Sequence, residues 1–287
     1  MRPGQRLLSR AGLWLLLPAL ALIAGVFIAP LVLMLPTSFR PYVPGQGMLS
    51  TWTLENYAIL VADTFYLEIF LRTLIMGLSV TLLTLVIGYP LAYWLARSES
   101  KLRGLVLLLV VFPLLLNLVV RSFGWIALLA RNGLINEFLI GLGIIDKPLA
   151  LIFNLTGLII GMTHIFLPFM VLTLIGAIQT IPRDVEDAAG VLGANRLTTF
   201  WKVTCPLSLP GILAGSVLVF VLSVSALVTP RLLGGPTYQV MSTVIFEEFT
   251  RLLNWPGGSA MAFVLTLLVL LLIWLSGRAA GRLGRVR

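Results

Sequence analysis

The sequence predicts an all-α membrane protein of six transmembrane helices with both termini in the cytosol. Three observations point there. Of 287 residues, 59% are hydrophobic and 11% charged, with a mean hydropathy of +1.04, whereas soluble domains carry about 25% charged residues. Apolar runs near the length of about 20 residues that a bilayer crossing needs occur six times, near 11–35, 69–96, 104–129, 150–179, 207–230 and 259–277. The basic residues then choose one side. Arg2, Arg6 and Arg10 precede the first run; Arg97, Lys101 and Arg103 join the second to the third. Arg183, Arg196 and Lys202 lie between the fourth and fifth, and Arg278, Arg282, Arg285 and Arg287 follow the last. Positive loops stay cytosolic, so the formal charge of +9 reads as a topology signal rather than a nucleic-acid surface.

The first run, Leu13 to Leu35, is too long for the core of a cleavable signal and contains Pro18 and Pro30. Pro90, Pro113, Pro168 and Pro230 fall within or at the end of later runs. Each removes a backbone donor, so bent helices are expected there. Between 121 and 147, Trp125, Asn132-Gly133, Asn136 and the Gly141–Gly143 pair read as short interfacial helices joined by turns. Trp52, Tyr57, Tyr66 and Trp255 suit the headgroup level. The single cysteine, Cys205, excludes a disulfide within the chain.

The loop at 180–206 is cytosolic in this topology and richer in signals than solubility requires. Pro182 suits a helix start, and Asp184 with Asp187 three residues on reads as a capping-box variant. Val185, Ala188, Ala189 and Leu192 form a narrow apolar stripe, Gly193 fits a left-handed cap, and Asn195 suits the start of a second short helix reaching Phe200 and Trp201. The product is a helix–turn–helix on the membrane surface, built for docking.

The register Asp187-Ala188-Ala189, Gly193 after three residues, then Val203-Thr204-Cys205-Pro206 after nine resembles the EAA loop of bacterial ABC importer permeases. Asp stands for Glu and Cys for Leu, with every spacing kept. Gly88-Tyr89-Pro90-Leu91-Ala92, Arg131 to Asn136, Leu167-Pro168-Phe169-Met170, Pro206 to Ile212 and Leu232-Leu233-Gly234-Gly235 extend the likeness to the first permease of the spermidine/putrescine-type branch. The resemblance implies a single permease domain over 1–287 with the type I importer fold, in the bacterial cytoplasmic membrane. It implies a second homologous permease, two cytosolic ATPase subunits that use ATP and Mg, and an extracytoplasmic solute-binding protein, free or lipid-anchored. Asp187, Ala188, Ala189, Gly193, Val203 and Pro206 then belong to the loop that couples to the ATPase. No Gly-x4-Gly-Lys-Ser/Thr loop occurs in the sequence, so the chain is not expected to be an enzyme by itself.

Candidate residues of a solute path are Asn117, His164, Ser223, Ser225, Thr229 and Arg231. An ionisable group within a span marks function, although Ser and Thr also simply join helices. Arg72, Arg121 and Arg231 are expected to snorkel to an interface. No Asp or Glu falls inside a span, which a polycation would want on its route. An opine, amino-acid-like or aminophosphonate cargo is therefore the alternative within the branch. A secondary transporter, the reading from another class, would need inverted repeats and midplane carboxylates, and a membrane enzyme would need a catalytic cluster. None of these is visible in the sequence.

Overall fold

The computed structural model describes residues 10–283; Arg2, Arg6, Arg285 and Arg287 of the topology reading lie outside them. In chain order the helices are α1 (Arg10–Ile23), α2 (Ala29–Ser38), α3 (Glu55–Ala62), α4 (Thr64–Arg97), α5 (Arg103–Leu115), α6 (Leu118–Leu129) and α7 (Leu134–Gly141). They continue with α8 (Leu155–Gln179), α9 (Arg183–Val191), α10 (Arg196–Thr199), α11 (Cys205–Leu207), α12 (Leu209–Ser225), α13 (Met241–Thr250) and α14 (Trp255–Leu283). A two-residue hairpin, β1 (Tyr42–Val43) and β2 (Gly47–Met48), pairs antiparallel between α2 and α3.

Five stretches are long and apolar enough to cross a bilayer: Leu16–Ser38, Thr64–Arg97, Leu118–Gly141, Leu155–Gln179 and Trp255–Arg278. A sixth follows if Arg196–Leu207 and Leu209–Ser225, bent by 67°, count as one. Counted that way the total reaches the six expected spans, but two of the expected runs are broken. The run 104–129 is not one helix. It breaks after Leu115, Leu116 is extended, and the Asn117 side chain accepts from Val119 N at 2.8 Å to start α6. Its first half, α5, has 13 residues and is about 20 Å long, short of a hydrocarbon core of about 30 Å. A hydropathy window averages over such a break. The run 207–230 likewise leaves the α-helix at Ser225, and Pro230–Gly234 forms a wide helical turn of its own.

Two compact units are distinguished. The first comprises the described residues up to Asp63 together with Ile245–Val264. Here the hydroxyls of Ser38 and Tyr57 meet at 2.7 Å, Asn56 donates to the carbonyls of Ser38 and Arg40 at 2.8 Å, and the Tyr42 hydroxyl donates to Leu252 O at 2.7 Å.

The second unit, Thr64–Val244 with the described residues from Leu265 onward, holds the main core. Its axis is α8, packed against both α4 and α12. Leu158, Met162, Met170, Val171, Leu174 and Ile178 are fully buried along it. Small residues let the helices approach, as membrane helix pairs require. A Cβ on Gly211 of α12 would lie 2.1 Å from Ala177 Cβ on α8, and one on Gly77 of α4 would lie 2.8 Å from Val224 Cγ2. Buried hydroxyls are satisfied within their own helix. Thr73, Thr81 and Thr84 donate to the carbonyls four residues back, at 2.7, 2.7 and 2.8 Å, which avoids an unpaired polar group away from water.

Candidate functional site

Between α8 and α12 the chain forms a short helix, a left-handed turn and a second helical segment. Helix α9 begins directly after Pro182, whose fixed φ of −59° suits the N-cap, and no side chain caps it. The expected Asp184/Asp187 capping box is thus not formed. Asp184 already lies inside the first turn, too late to cap it. The other end follows expectation. Gly193 has φ +86°, with Gly193 N donating to Gly190 O at 2.9 Å and Ala194 N to Ala189 O at 3.0 Å. This pair of bonds is a Schellman cap, and the left-handed conformation is open to glycine at little steric cost. Asn195 then caps α10, its side chain accepting from Thr198 N at 2.8 Å.

The apolar stripe points mostly outward. Val185 is 40% exposed and Leu192 88%, with Val191 at 88%, Leu197 at 68% and Trp201 at 63%. Ala188 is exposed, Ala189 half-buried, and Asp187 and Pro206 exposed, with Val203 half-buried. These side chains therefore lie where a docking partner can reach them.

Glu186, not Asp187, anchors the loop. Its Oε1 lies 2.9 Å from Arg97 Nη2 at the end of α4, with Arg97 Nε at 3.3 Å. The same oxygen accepts from Thr204 Oγ1 at 2.9 Å, while Arg97 Nη2 also donates to Ile181 O at 3.1 Å. Both charged side chains are nearly buried, 14% and 13% exposed. Losing one member of such a buried pair strands the other and typically costs about 3 kcal/mol or more. The nearby Arg183–Glu99 pair at 2.6 Å is 53% and 80% exposed, and solvent leaves such pairs under about 1 kcal/mol. The second half of the loop seats by aromatic contact. The Phe200 ring meets Tyr89 and Tyr93 of α4 edge-on at 5.2 and 5.6 Å, and Tyr89 and Ser208 share a hydroxyl hydrogen bond of 2.6 Å. Beside these contacts a cleft of about 820 Å³, lined by Tyr93, Trp94, Arg97, Glu186, Asp187 and Arg196 among others, separates part of α9 from α4. The attachment of α9 to α4 thus rests on the buried Glu186–Arg97 pair and on an exposed bond from Arg183 Nη2 to Arg97 O at 3.2 Å.

Spacing alone drew attention to Asp187 and passed over Arg97, Glu186 and Thr204. The signal available was modest: an Arg ending a span and a Glu on the inner face of the loop helix, 89 residues apart.

The path candidates separate on inspection. The His164 ring accepts at Nδ1 from Trp125 Nε1 at 3.2 Å, and Thr229 shares a hydroxyl contact of 3.3 Å with Ser122. Both pairings run through α6. Asn117 is occupied in capping α6. Ser223 and Ser225 donate to the carbonyls of Val219 and Val221 on their own helix. Arg231 is exposed. Arg72 pairs with Glu68 and lies 5.1 Å from the Tyr238 ring centroid. Arg121 departs from the snorkelling expectation, since its Nε and Nη1 are buried without a hydrogen-bond partner among the described residues.

Comparison with known proteins gives these features a family context. The family described as binding-protein-dependent transport system inner membrane component matches residues 85–285. The spermidine/putrescine transport system permease protein PotB of Escherichia coli (strain K12) is 36% identical over 260 residues, 90% of this chain and 94% of that protein. PotB of Haemophilus influenzae is 37% identical over 233 residues, 81% of each. Among solved structures, a bacterial alginate ABC transporter in complex with an alginate pentasaccharide-bound periplasmic protein aligns with a TM-score of 0.74. That match has 19% identity and covers 93% of both chains.

Proposed function

The chain belongs to the inner-membrane components of binding-protein-dependent transport systems, and from that premise we propose the solute, the partners and the residues by which it works. It is a multi-pass inner-membrane permease of an ABC importer. The cargo we assign is polyamine-like, supported by identity of 36% across 90% of the chain to permeases named for spermidine and putrescine. The assembly we assign pairs it with a second, homologous permease and two cytosolic ATPase subunits, which use ATP and Mg. An extracytoplasmic binding protein delivers the solute. Both termini and the loop at 180–206 face the cytosol, in keeping with the basic residues on that side.

The observation that carries the coupling role is the loop's combination of an exposed face and a single buried ionic anchor. Val185, Ala188, Val191 and Leu192 offer the ATPase a surface, with the Asp187-Ala188-Ala189 and Gly193 register between them, and Val203 and Pro206 set the far end. Movement of α9 reaches α4 through Glu186 and Arg97, and α8 through their shared packing. Thermodynamically, ATP-driven docking shifts the permease only if the ATPase binds the loop differently in the two states. Replacing Gly193 with valine is expected to abolish uptake and weaken ATPase retention on the permease, while membrane insertion persists. Parental uptake would remove the loop from coupling.

A second reading keeps the machinery and changes the cargo to a solute bearing both amine and carboxylate. It is favoured by the placement of Glu68 and Glu137, the acids of the apolar spans, within a turn or two of a span end, and by Arg121 on α6. Uptake of radiolabelled putrescine and ornithine by the reconstituted importer separates the two readings.

A further inference from the structure

On the inner helices one guanidinium is partly buried with two nitrogens unsatisfied. On α6, Arg121 is half-buried, and its Nε and Nη1 are both buried without a hydrogen-bond partner. Four residues on, Trp125 lies on the same helical face and donates to His164 Nδ1 at 3.2 Å, the two rings meeting edge-on at 5.4 Å. Because Nδ1 accepts, the neutral imidazole carries its proton on Nε2, so the rest of its hydrogen-bonding capacity is also a donor. Through Trp125, one turn from Arg121 on α6 and bonded to His164 on α8, the guanidinium and the ring lie on adjoining faces of the two helices. The cluster therefore offers a fixed cation and a ring N–H, with no anion hydrogen-bonded to either among the described residues. A guanidinium away from water is costly unless paired, and its planar fork fits a carboxylate in bidentate geometry.

We propose that Arg121, with His164 oriented by Trp125, forms a carboxylate-binding subsite in the membrane core of the permease. The carboxylate comes from outside this chain, either from an acidic side chain of the second permease or from the transported solute. The subsite rests on the importer reading above and deepens it. With a pure polyamine as cargo the solute has no carboxylate, so the second permease must supply it. With an amino-acid-like cargo the solute supplies it.

The test uses the whole importer in proteoliposomes, with binding protein present and putrescine and ornithine as paired solutes; ornithine is putrescine with one carboxylate added. If the solute provides the carboxylate, R121Q lowers ornithine uptake at least ten-fold more than putrescine uptake. If the second permease provides it, R121Q lowers uptake of every transported solute alike, about ten-fold. In that case R121E is rescued by an Asp or Glu to Arg change in a membrane span of the partner. H164F, which removes the second donor, follows the same pattern at about three-fold and decides the matter should R121Q fail to assemble. Uptake within two-fold of the parent in both variants, or in H164F where R121Q does not assemble, overturns the subsite. A parent complex that takes up neither solute contradicts the cargo reading instead. The subsite is then read from ATP hydrolysis by the same vesicles, where parental rates in R121Q overturn it.

Discussion

At the seat of the 180–206 loop, Arg97 meets Glu186 at 2.9 Å, Thr204 and Ile181 O complete the hydrogen bonding, and the charges cancel within one chain. On α6, by contrast, Arg121 has two buried nitrogens without partners, beside a histidine whose acceptor is already taken. Both arginines sit on helices of the same core. The first is an internal brace, complete as the chain folds. The second is half of an interaction whose other half we place in the assembled transporter. A satisfied buried charge fixes one arrangement of two elements, while an unsatisfied one biases the protein toward whatever state provides its partner.

The two regions should therefore respond oppositely when each is relieved of charge. The largest effect is expected from Glu186→Ala, which strands Arg97. Thermal unfolding of the isolated chain in detergent should show a loss of about 3 kcal/mol, and limited proteolysis should cut within 180–206 faster. In the double variant with Arg97→Ala, the loss should be smaller than the sum of the single losses, because neither change then leaves a bare charge. Additive losses would show that the brace does not act as a pair.

The opposite sign is expected at Arg121. Arg121→Met keeps much of the side-chain length and removes a partly buried, unpaired charge, so the isolated chain should gain about 1–2 kcal/mol while the assembled importer loses uptake. A stability loss there would mean that Arg121 is already satisfied within the chain. Trp125→Phe deletes one neutral hydrogen bond to His164 and should cost about 1 kcal/mol in the same unfolding measurement. Smallest of all, Arg183→Ala removes an exposed pair with Glu99 and an exposed hydrogen bond to Arg97 O and should stay within about 1 kcal/mol of the parent. A larger loss would show that the exposed contacts of Arg183 hold the loop as firmly as Glu186 does.

Features governed by short stretches were legible in the sequence. Six apolar runs, the glycine cap at Gly193, the Asn195 cap and the loop register all follow from neighbours within a few residues, and the fold and family follow from them. Features decided at long range were not. The break before α6 depends on Asn117 turning its side chain onto Val119 N, which a hydropathy average passes over. Glu186 pairs across 89 residues with Arg97, while the neighbouring carboxylate, Asp187, points to the exposed side. Arg121 read as a snorkelling residue because a continuous helix over 104–129 would carry it about 25 Å beyond Gly104. The broken helix and the packing of α6 leave it half-buried, with Nε and Nη1 out of solvent. The hydroxyls of Ser223 and Ser225, named as path candidates from their polarity, donate to carbonyls of their own helix, as Ser commonly does within membrane helices; such bonds depend on rotamers that spacing does not give.

The central claim is that motion of the loop reaches the membrane core through Glu186 and Arg97. The most direct measurement is the number of solute molecules transported per ATP hydrolysed by the reconstituted importer carrying Glu186→Gln. That change keeps the side chain's size and removes its charge. The account predicts that this ratio falls at least ten-fold as hydrolysis and uptake come apart. A ratio equal to the parent's, with the complex intact, would contradict it.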